Sequence, residues 1–466
     1  MKRKKFLQSI LGASAFLGLP YKALSYDSSI LQELIDKTKK DIDGSMYGFS
    51  VTPIKKVKIG IIGLGNRGVT LLEMLQYLII NNYAEVIALS DIIKEKTIKG
   101  AKKLTSWQNT KPEIYYKSKN EWKKMITNND IDLVIIATPW KLHTPMAIYS
   151  MENGKHVASE VPIASTLEEC WNLIEVSEKT KKHCMMMENC NYNDEELWIL
   201  NMIQEGVFGD ITHTEGAYIH DLRALLLDKK YYQDQWRLHE HANRDGNFYT
   251  THGLGPIAFY LNIGRGDKFS YLTSMSSREL NLSIAAKQAK HTIQYYKCGD
   301  MNNTLIRTEK GKTILLQFDV HTGRPYSRLN KVIGTKAIHE GYPSKLYIDS
   351  KKPEYWGHQW LDNEAYTRYK LKYRHPIIKK LKVISKDFKQ GHGGMDFIMI
   401  YRLIRCLNLG LPLDINVYDS IMWSAITPLS ELSVAAKSQP ISIPDFTAGN
   451  WKKEKTLEIM KNIDEI

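Results

Sequence analysis

The chain has 466 residues, a length that suits two domains better than one small core. Its hydrophobic fraction of 43% and charged fraction of 25% are ordinary for a soluble globular protein and argue against a disordered chain. The net charge of +13 is spread along the sequence without a nucleic-acid-binding motif, so we interpret it as solvated surface and predict no nucleic-acid partner.

Residues 1–25 have the layout of an export signal. Basic side chains at residues 2–5 come before an apolar stretch at 6–19 and a small-residue site at 23–25 that resembles a cleavage site. The apolar stretch is shorter than the ~20 residues that a membrane-spanning helix needs. We therefore expect a periplasmic, cell-surface or secreted protein without a transmembrane span. A twin-arginine signal, with Lys4 in place of the second arginine, and a plain Sec signal are both open.

A dinucleotide-binding Rossmann domain is predicted for residues 53–190, after a short arm and linker at 26–52. A run of β-branched residues at 57–62 predicts a buried parallel strand, and a helix is predicted at 69–80. The loop between them has the sequence GLGNRG. Its first glycine allows a tight turn, its second lets the backbone approach a pyrophosphate, and its third lets helix and strand pack closely. These glycines are Gly63, Gly65 and Gly68.

The next strand predicts NAD as the cofactor. It covers residues 85–90 and ends at Asp91, about 20 residues after the last glycine, where a carboxylate binds the ribose diol and repels a 2′-phosphate. Two further strands at 132–137 and 155–159 lead into turns, and ligands bind at such carboxyl ends of parallel strands. The other predicted cofactor contacts lie in the glycine loop or near strand ends: Asn66, Arg67, Trp140, Lys141, His143, Glu160, Val161 and Asn189.

Residues 191–466 are predicted to form an α+β substrate domain with a mixed, mostly antiparallel sheet. The prediction depends on alternating or β-rich runs at 211–220, 269–276, 303–320 and 329–341, flanked by helical stretches at 251–261 and 396–409. The complete prediction is thus an α/β protein with a Rossmann domain followed by an α+β domain.

The cysteines predict neither a disulfide framework nor a metal site. Their number, five, is odd, and no pair has the CxxC spacing of a zinc site. This usage predicts folding in a reducing compartment, even for a protein that ends outside one.

The glycine loop, the Ala-Thr-Pro turn at 137–139 and the Glu-Val-Pro turn at 160–162 resemble the glucose–fructose oxidoreductase superfamily. Its dehydrogenases usually have Glu-Lys-Pro in the last turn, and that lysine helps to move the proton of the alcohol being oxidised. This chain has Val161 there, and valine cannot transfer a proton. The departure argues against a simple sugar dehydrogenase.

The chain is more similar to glycoside hydrolase family 109, the NAD-dependent α-N-acetylgalactosaminidases, from about residue 55 to residue 448. The family usually has Tyr-Pro-Thr-His where this chain has YTTH, and the segment 221–235 is a poorer match that could reshape the substrate pocket. The matching blocks are EVP at 160–162, MENC at 187–190, NFYTTHGLGP at 247–256, GRPY at 323–326 and GHGGMD at 391–396.

This resemblance implies a glycosidase that removes terminal, α-linked N-acetylgalactosamine from a glycan or glycoconjugate. NAD oxidises C3 of the sugar, which acidifies the proton on C2. The leaving group on C1 is eliminated, water adds, and the hydride returns to C3. Such enzymes are an exception to the rule that glycosidases need two carboxylates.

The resemblance also assigns site residues. It implies that His252 helps to deprotonate the C3 hydroxyl, and that Tyr192 or Tyr249 acts as the C2 base or the leaving-group acid. A free tyrosine has a pKa near ~10, so a base role requires a neighbouring charge to lower it, and Arg237 could supply that charge or simply bind hydroxyls. The predicted substrate contacts are Arg237, Tyr249, Thr250, Thr251, His252 and Tyr326.

Two other functions stay open at this point. An exported NAD(P)-dependent sugar oxidoreductase would share the fold and the export signal, but Val161 argues against it. A non-catalytic NAD-binding sugar sensor would not need proton-transfer groups such as Tyr249 and His252. A homo-oligomer is compatible with each of these functions.

Overall fold

A computed structural model of the chain describes residues 28–349, 357–388 and 392–457. The predicted export signal at 1–25 lies outside the described residues. The described residues begin with a helix, Ser28–Asp36, which lies inside the predicted arm. Among the helices of these three ranges, none is long and apolar enough to cross a membrane.

The N-terminal half of the chain forms a sheet of six parallel strands in the order β3-β2-β1-β4-β5-β6. All residues of the central strands β4 and β5 are buried, as expected for a parallel sheet that is covered on both faces. The strands are β1 Val57–Ile62, β2 Ala84–Ser90, β3 Glu113–Tyr115, β4 Leu133–Ile136, β5 His156–Ser159 and β6 Cys184–Met186.

The second half forms an eight-stranded sheet in the order β13-β12-β11-β7-β10-β9-β8-β14. Neighbouring strands in this sheet are antiparallel, except that β7 and β10 are parallel. The predicted fold class is therefore confirmed. The strands are β7 Ile211–Ile219, β8 Phe269–Ser276, β9 Asn302–Thr308, β10 Thr313–Asp319, β11 Lys331–Gly334, β12 Ala337–Glu340, β13 Lys345–Ile348 and β14 Ile441–Ser442.

Helices connect and cover these strands, and local sequence fixes several of their ends. Helix α7, for example, begins at a capping box in which Thr166 and Glu169 each bind the other's backbone N–H. The helices are α1 Ser28–Asp36, α2 Asn66–Met74, α3 Gln76–Ile80, α4 Lys94–Leu104, α5 Glu121–Asn128, α6 His143–Glu152, α7 Leu167–Thr180, α8 Asp194–Gln204, α9 Arg223–Leu227, α10 Trp236–Asn243, α11 Thr251–Tyr260, α12 Asn281–Gln288, α13 Asn363–Lys372, α14 Pro376–Ser385, α15 Met395–Leu409, α16 Val417–Ser424 and α17 Ile426–Ala435.

Two late helices return to the first sheet. The side chain of Asn408 in α15 donates to the backbone carbonyls of Ile54 (2.8 Å) and Tyr83 (3.0 Å) beside β1 and β2. The hydroxyl of Ser420 in α16 accepts from the backbone N–H of Met186 in β6 (2.9 Å). The two halves therefore share one hydrophobic core. The domain boundaries at 52/53 and 190/191 stay predictions.

A buried histidine pair in the first half predicts that acid destabilises the protein. The backbone N–H of His183 donates to Nδ1 of His156 (3.1 Å). Burial lowers the pKa of His156 to about 4, and burial together with the neighbouring His156 lowers the pKa of His183 to about 3. In the unfolded chain both histidines titrate near ~6.5. Below that pH the unfolded chain binds more protons than the folded chain, so the free energy of unfolding falls.

Each histidine should remove about 1.6 kcal/mol of stability between pH 6.5 and pH 5, because the unfolded imidazole is already half protonated at pH 6.5 and the full slope is about 1.4 kcal/mol per pH unit. Urea unfolding at both pH values measures this loss. The double variant His156→Asn/His183→Gln should lose less stability than the wild type over the same interval. An equal loss in both proteins would assign the acid sensitivity to other groups.

Candidate active site

A cavity of about 2370 Å³ lies between the carboxyl ends of the parallel strands and one end of the second sheet. It is lined by residues that follow β1, β2, β4 and β5, and by residues at the end of β7 and in α10 and α11. Small-molecule sites usually measure about 300–1,000 Å³. This cavity therefore has room for a dinucleotide together with a second ligand.

The glycine loop has the features that a pyrophosphate requires. A Cβ atom at Gly63, whose φ is +89°, would lie 2.5 Å from the carbonyl oxygen of Ala137, and one at Gly68 would overlap the carbonyl oxygen of Gly63. The protein's own packing thus demands both glycines. A Cβ atom at Gly65 would meet no atom within 4 Å, and Gly65 lines the cavity. The N-cap residue of helix α2 is Gly65, which has no side chain to cap the helix, so the first N–H groups of α2 can bind an anion.

Asp91 is held beside this loop in the position expected of a ribose ligand. Its Oδ2 accepts from the backbone N–H of Leu64 (2.7 Å), and its Oδ1 accepts from the backbone N–H of Ile93 (2.8 Å). Asp91 also lines the cavity. The open space at Gly65 and this fixed carboxylate fit NAD, and together they make this end of the cavity the candidate site for it.

Arg67 and Asn66 follow Gly65 and also line the cavity, but Arg67 is engaged by carboxylates of the protein. Its Nε donates to Glu160 (2.6 Å), and its two Nη atoms donate to Asp396 in α15 (2.6 and 2.9 Å). Burial alone would lower the pKa of Arg67, but the charges of Glu160 and Asp396 outweigh burial and raise it. The arginine therefore clamps the glycine loop to α15 and is not a free cation for phosphate.

Asn189 joins the same clamp, because its Nδ2 donates to Oδ1 of Asp396 (2.7 Å). Nδ1 of His392 lies 2.7 Å from the other oxygen of Asp396. Glu160 and Asn189 both line the cavity, as their predicted role requires. Asn189 and Arg67 connect the two halves of the molecule through Asp396, and Glu160 holds Arg67 from within the first half.

The remaining predicted cofactor contacts, Trp140, Lys141, His143 and Val161, also line the cavity. His143 differs from the others because its Nδ1 lies 2.7 Å from the carbonyl oxygen of Pro162 and its Nε2 lies 2.6 Å from that of Thr138. It therefore braces the two strand-end turns, and its ring nitrogens are not available to a cofactor. Val161 is buried, and it brings no proton-transfer group to the cavity.

The first turn of helix α11 brings His252 to the cavity wall. This helix packs closely on β7, because a Cβ atom at Gly253 would lie 2.5 Å from the backbone nitrogen of Ala217. Nδ1 of His252 lies 2.8 and 2.9 Å from the two carboxylate oxygens of Glu188. A carboxylate only accepts hydrogen bonds, so Nδ1 carries a proton and the lone pair of a neutral His252 is on Nε2.

Glu188 is a functional residue that sequence reasoning missed. It is completely buried, and burial alone would raise its pKa, but the imidazole of His252 and hydrogen bonds to the carboxylate hold the pKa of Glu188 below its ordinary value. The glutamate is thus an ionised partner that orients His252. Its only sequence signal was an acidic residue directly after an apolar strand run, inside the MENC block.

Tyr249 lines the cavity beside His252, and their ring centroids are 4.8 Å apart. Its ring stacks on Tyr218 at 4.3 Å, and the guanidinium carbon of Arg237 lies 4.9 Å from its centroid. Burial nevertheless raises the pKa of Tyr249 well above its ordinary value, and Arg237 offsets only part of that effect. The hydroxyl therefore stays protonated, which favours the acid role over the base role.

Arg237, His220 and Tyr218 complete this wall. Of these three residues, only Arg237 is predicted from the sequence. Arg237 donates to the hydroxyl of Tyr232 (3.0 Å), while its Nε and Nη2 are buried without a hydrogen-bond partner among the described residues. His220 directly follows β7, and burial, assisted by the charge of Arg237, lowers its pKa to about 4. The buried Nε2 of His220 also lacks a hydrogen-bond partner among the described residues. Arg237, His220 and Tyr218 all line the cavity.

The structure corrects the prediction for Tyr192. This residue is completely buried, does not line the cavity, and donates its hydroxyl to Asp414 (3.3 Å). Asp414 is also paired with Arg402 (2.7 and 2.9 Å). Burial and the charge of Asp414 raise the pKa of Tyr192 well above its ordinary value. A tyrosine in this position packs the core and has no access to substrate.

Three predicted substrate contacts do not line the cavity. Thr250 donates its hydroxyl to the carbonyl of Trp423 (2.9 Å), and Thr251 is buried at the first position of α11. These two residues lie behind the wall, so the prediction of direct contact is corrected for them. Tyr326 is 38% exposed, its hydroxyl accepts from Arg328 (3.1 Å), and its ring lies 5.2 Å from that of His220, so its substrate contact stays a prediction.

Among the described residues, three groups bring donor atoms close enough to hold a metal ion, although the sequence predicts no metal. In each group the donor atoms lie within 4.8 Å of one another. Each group joins residues that are distant in the chain, which explains why no spacing motif marks it. The groups are Glu188, Cys190 and His252, which includes the histidine–glutamate pair; His241, Cys298 and His321; and Glu279, Asp300 and His321.

Comparison with known families divides the chain at the same place as the two sheets. A family model described as "Oxidoreductase family, NAD-binding Rossmann fold" matches residues 57–188. A second one, described as "Glycosyl hydrolase 109, C-terminal domain", matches residues 192–453. The predicted cofactor, NAD, is thereby confirmed.

Curated relatives are similar over most of the chain. A glycosyl hydrolase family 109 protein from Solibacter usitatus is 43% identical over 415 residues, which cover 88% of this chain and 92% of the relative. A protein from Shewanella oneidensis named alpha-N-acetylgalactosaminidase is 38% identical over 464 residues, 98% of each chain.

Solved structures share the fold at low sequence identity. Levoglucosan dehydrogenase in complex with NADH and levoglucosan has a TM-score of 0.61 at 19% identity, covering 84% of this chain and 100% of that one. A scyllo-inositol dehydrogenase from Lactobacillus casei with bound NAD(H) and scyllo-inositol has a TM-score of 0.55 at 16% identity, covering 83% and 99%. At this identity the likeness establishes the fold alone.

Proposed function

Because the chain belongs to glycosyl hydrolase family 109 and is an NAD-dependent glycoside hydrolase, we propose that it releases terminal, α-linked N-acetylgalactosamine from a glycan. The printed name of the Shewanella oneidensis relative, at 38% identity, supports this choice of sugar. The observation that carries the proposal is the buried pair of His252 and Glu188, which opens on the same cavity as the glycine loop.

The cofactor half of the cavity would hold NAD through the first N–H groups of α2 for the pyrophosphate and through Asp91 for the ribose diol. When bound, NAD supplies a reversible acceptor for the hydride on C3 of the sugar, so the sugar is not oxidised overall. Val161 supports hydrolysis over net oxidation. It stands where dehydrogenases of the glucose–fructose oxidoreductase superfamily usually have the lysine that helps to move the alcohol proton.

His252 is the proposed base for the C3 hydroxyl. Its Nε2 lone pair accepts the hydroxyl proton, and the resulting imidazolium is stabilised by the Glu188 carboxylate, 2.8 Å from Nδ1. The same proton returns to the C3 oxygen at the end of the cycle. An ionised glutamate that binds Nδ1 thus fixes the tautomer and the orientation of the imidazole.

Tyr249 is the proposed acid for the leaving group on C1. Its raised pKa keeps the hydroxyl protonated, and its ring lies 4.8 Å from that of His252, so both groups can reach one sugar. Arg237 and His220 line the same wall, and their polar side chains are suited to bind sugar oxygens.

We also propose that the enzyme acts outside the cytoplasm, on the evidence of the export signal at 1–25, and that it forms a homo-oligomer. Cell fractionation tests the first of these proposals, and sedimentation of the purified protein tests the second.

The central test uses a chromogenic α-N-acetylgalactosaminide. We expect the purified protein to release the leaving group over many turnovers without added NAD and without net NADH absorbance, because the hydride returns to the product. A preparation stripped of cofactor should be inactive until NAD is added. Stoichiometric NADH formation from free sugars, without release of the leaving group, would overturn the glycosidase proposal in favour of an oxidoreductase.

A further inference from the structure

A strip of four aromatic rings runs along the cavity wall, away from the proposed catalytic residues. Ring centroids are 5.1 Å apart between Trp140 and Trp236, 5.5 Å between Trp236 and Tyr232, and 4.9 Å between Tyr232 and Tyr231. All four residues line the cavity. Exposure increases along the strip, from 6% for Trp140 to 43% for Tyr231, so the strip leads from the interior to the rim.

The inner end of the strip adjoins the histidine–glutamate pair. The ring of Trp140 lies 6.0 Å from that of Tyr249, which in turn lies 4.8 Å from His252. Arg237 lies over the inner rings, 5.2 Å from the centroid of Trp140 and 5.5 Å from that of Tyr232. A sugar held at His252 would therefore have its leaving group close to the start of the strip.

The segment that carries the outer rings is held in a costly conformation. Asp234 and Gln235 both adopt left-handed backbone angles, with φ of 53° and 50°, which non-glycine residues rarely adopt. The amide of Gln235 donates to the carbonyl of Leu227 (3.1 Å), and the backbone N–H of Tyr231 donates to Asp228 (2.7 Å). These bonds fix the outer rings in place, within the segment 221–235 that is a poorer match to the family pattern.

The chemistry of the strip matches a sugar ring better than a lipid chain or a peptide. Tyr231 offers an aromatic ring that is 43% exposed, while the exposed polar groups of Lys230, Gln233 and Asp234 line the cavity beside it. A pyranose has an apolar face and a rim of hydroxyls, so it can use both. A lipid chain would leave these polar groups without partners.

We propose that this strip, Trp140, Trp236, Tyr232 and Tyr231, is an aglycone subsite that binds the second sugar of an oligosaccharide substrate. The inference rests on the proposed glycosidase function and names its substrate class. It predicts that Tyr231, at the rim, contacts the second sugar, on the leaving-group side of the bond that is cleaved. Substrates with a sugar in this subsite should therefore be preferred to those with a small aglycone.

The test compares methyl α-N-acetylgalactosaminide with a disaccharide in which the same sugar is α-linked to a second hexose. The wild type should have the higher kcat/KM for the disaccharide. Tyr231→Ala should reduce this preference roughly 3- to 10-fold, the range for one aromatic contact, mainly through KM. Tyr231→Phe, which keeps the ring, should restore it. Tyr295→Ala, an aromatic residue that is 79% exposed and does not line the cavity, is the matched control.

The outcomes separate this inference from the proposed function. If the wild type cleaves neither substrate, the proposed function fails. If it cleaves both without preference, or if Tyr231→Ala lowers both rates equally, the function stands and the subsite is overturned. A preference for a peptide-linked or lipid-linked glycoside that is lost in Tyr231→Ala would also overturn a sugar subsite.

Discussion

Replacing His252 by alanine is expected to lower kcat about 10²- to 10⁴-fold, the usual contribution of one general acid–base group. The reason is that Nε2 of His252 is the proposed acceptor of the C3 hydroxyl proton. The carboxylate of Glu188 lies 2.8 Å from the other ring nitrogen, Nδ1. The measurement is steady-state hydrolysis of the chromogenic glycoside. Because His252 is not part of the glycine loop, the variant should still bind NAD, and full turnover by it would remove this residue from the mechanism.

Glu188→Gln tests the second member of the pair. Glutamine keeps the size and can accept from Nδ1, but it removes the negative charge that stabilises the imidazolium. We expect a large loss of kcat that does not add to the loss in His252→Ala, because both substitutions remove one unit. Fully additive losses in the double variant would show that Glu188 acts independently of His252.

The second large effect is expected at Gly65, where valine should abolish cofactor retention without unfolding the protein. The φ of Gly65 is −70° and a Cβ atom there meets nothing within 4 Å, so the protein itself tolerates a side chain. The new side chain would project where the pyrophosphate approaches the N–H groups of α2. Each lost hydrogen bond to a charged group costs about 1.5–3 kcal/mol, so the loss of two would weaken NAD binding by about 10² or more.

Fluorescence titration with NADH and thermal unfolding of the cofactor-free protein measure the two parts of this prediction. Gly65→Val should bind weakly and unfold at the same temperature as the cofactor-free wild type. Gly68→Val is the contrasting variant, because its side chain would overlap the Gly63 carbonyl and should destabilise the fold itself. Unchanged NADH affinity in Gly65→Val would place the cofactor elsewhere.

The cofactor half of the site could be predicted from the sequence because it depends on local chain geometry. Strand β1, the glycine loop and helix α2 are consecutive, and a positive φ at Gly63 or close contact at Gly68 is a demand that only glycine meets. Asp91 could be predicted because the acidic residue that binds the ribose stands at the end of the strand after the glycine loop. The predicted 69–80 helix is two helices, Asn66–Met74 and Gln76–Ile80, a change that leaves the site unaffected.

The substrate half was predicted less well, because motif membership does not say which way a side chain points. Tyr192, Thr250 and Thr251 belong to matching blocks, yet all three are buried in contacts that hold the wall together. His220 and Glu188 had only weak signals, as polar residues that follow apolar strand runs. Burial decides their chemistry, since it lowers the pKa of His220 and forces Glu188 to keep a partner.

By itself, the sequence determined the two-part architecture, the NAD site and the family, since periodicity, glycines and contiguous motifs encode these locally. Only the tertiary structure decided which charges meet. Arg67 is paired with Asp396 and His252 with Glu188 across long stretches of chain. A buried ion must find a partner to offset its lost hydration, and the partner is chosen by the packing of distant elements. That choice made Arg67, a predicted cofactor contact, into a clamp, and it made His252 an oriented base.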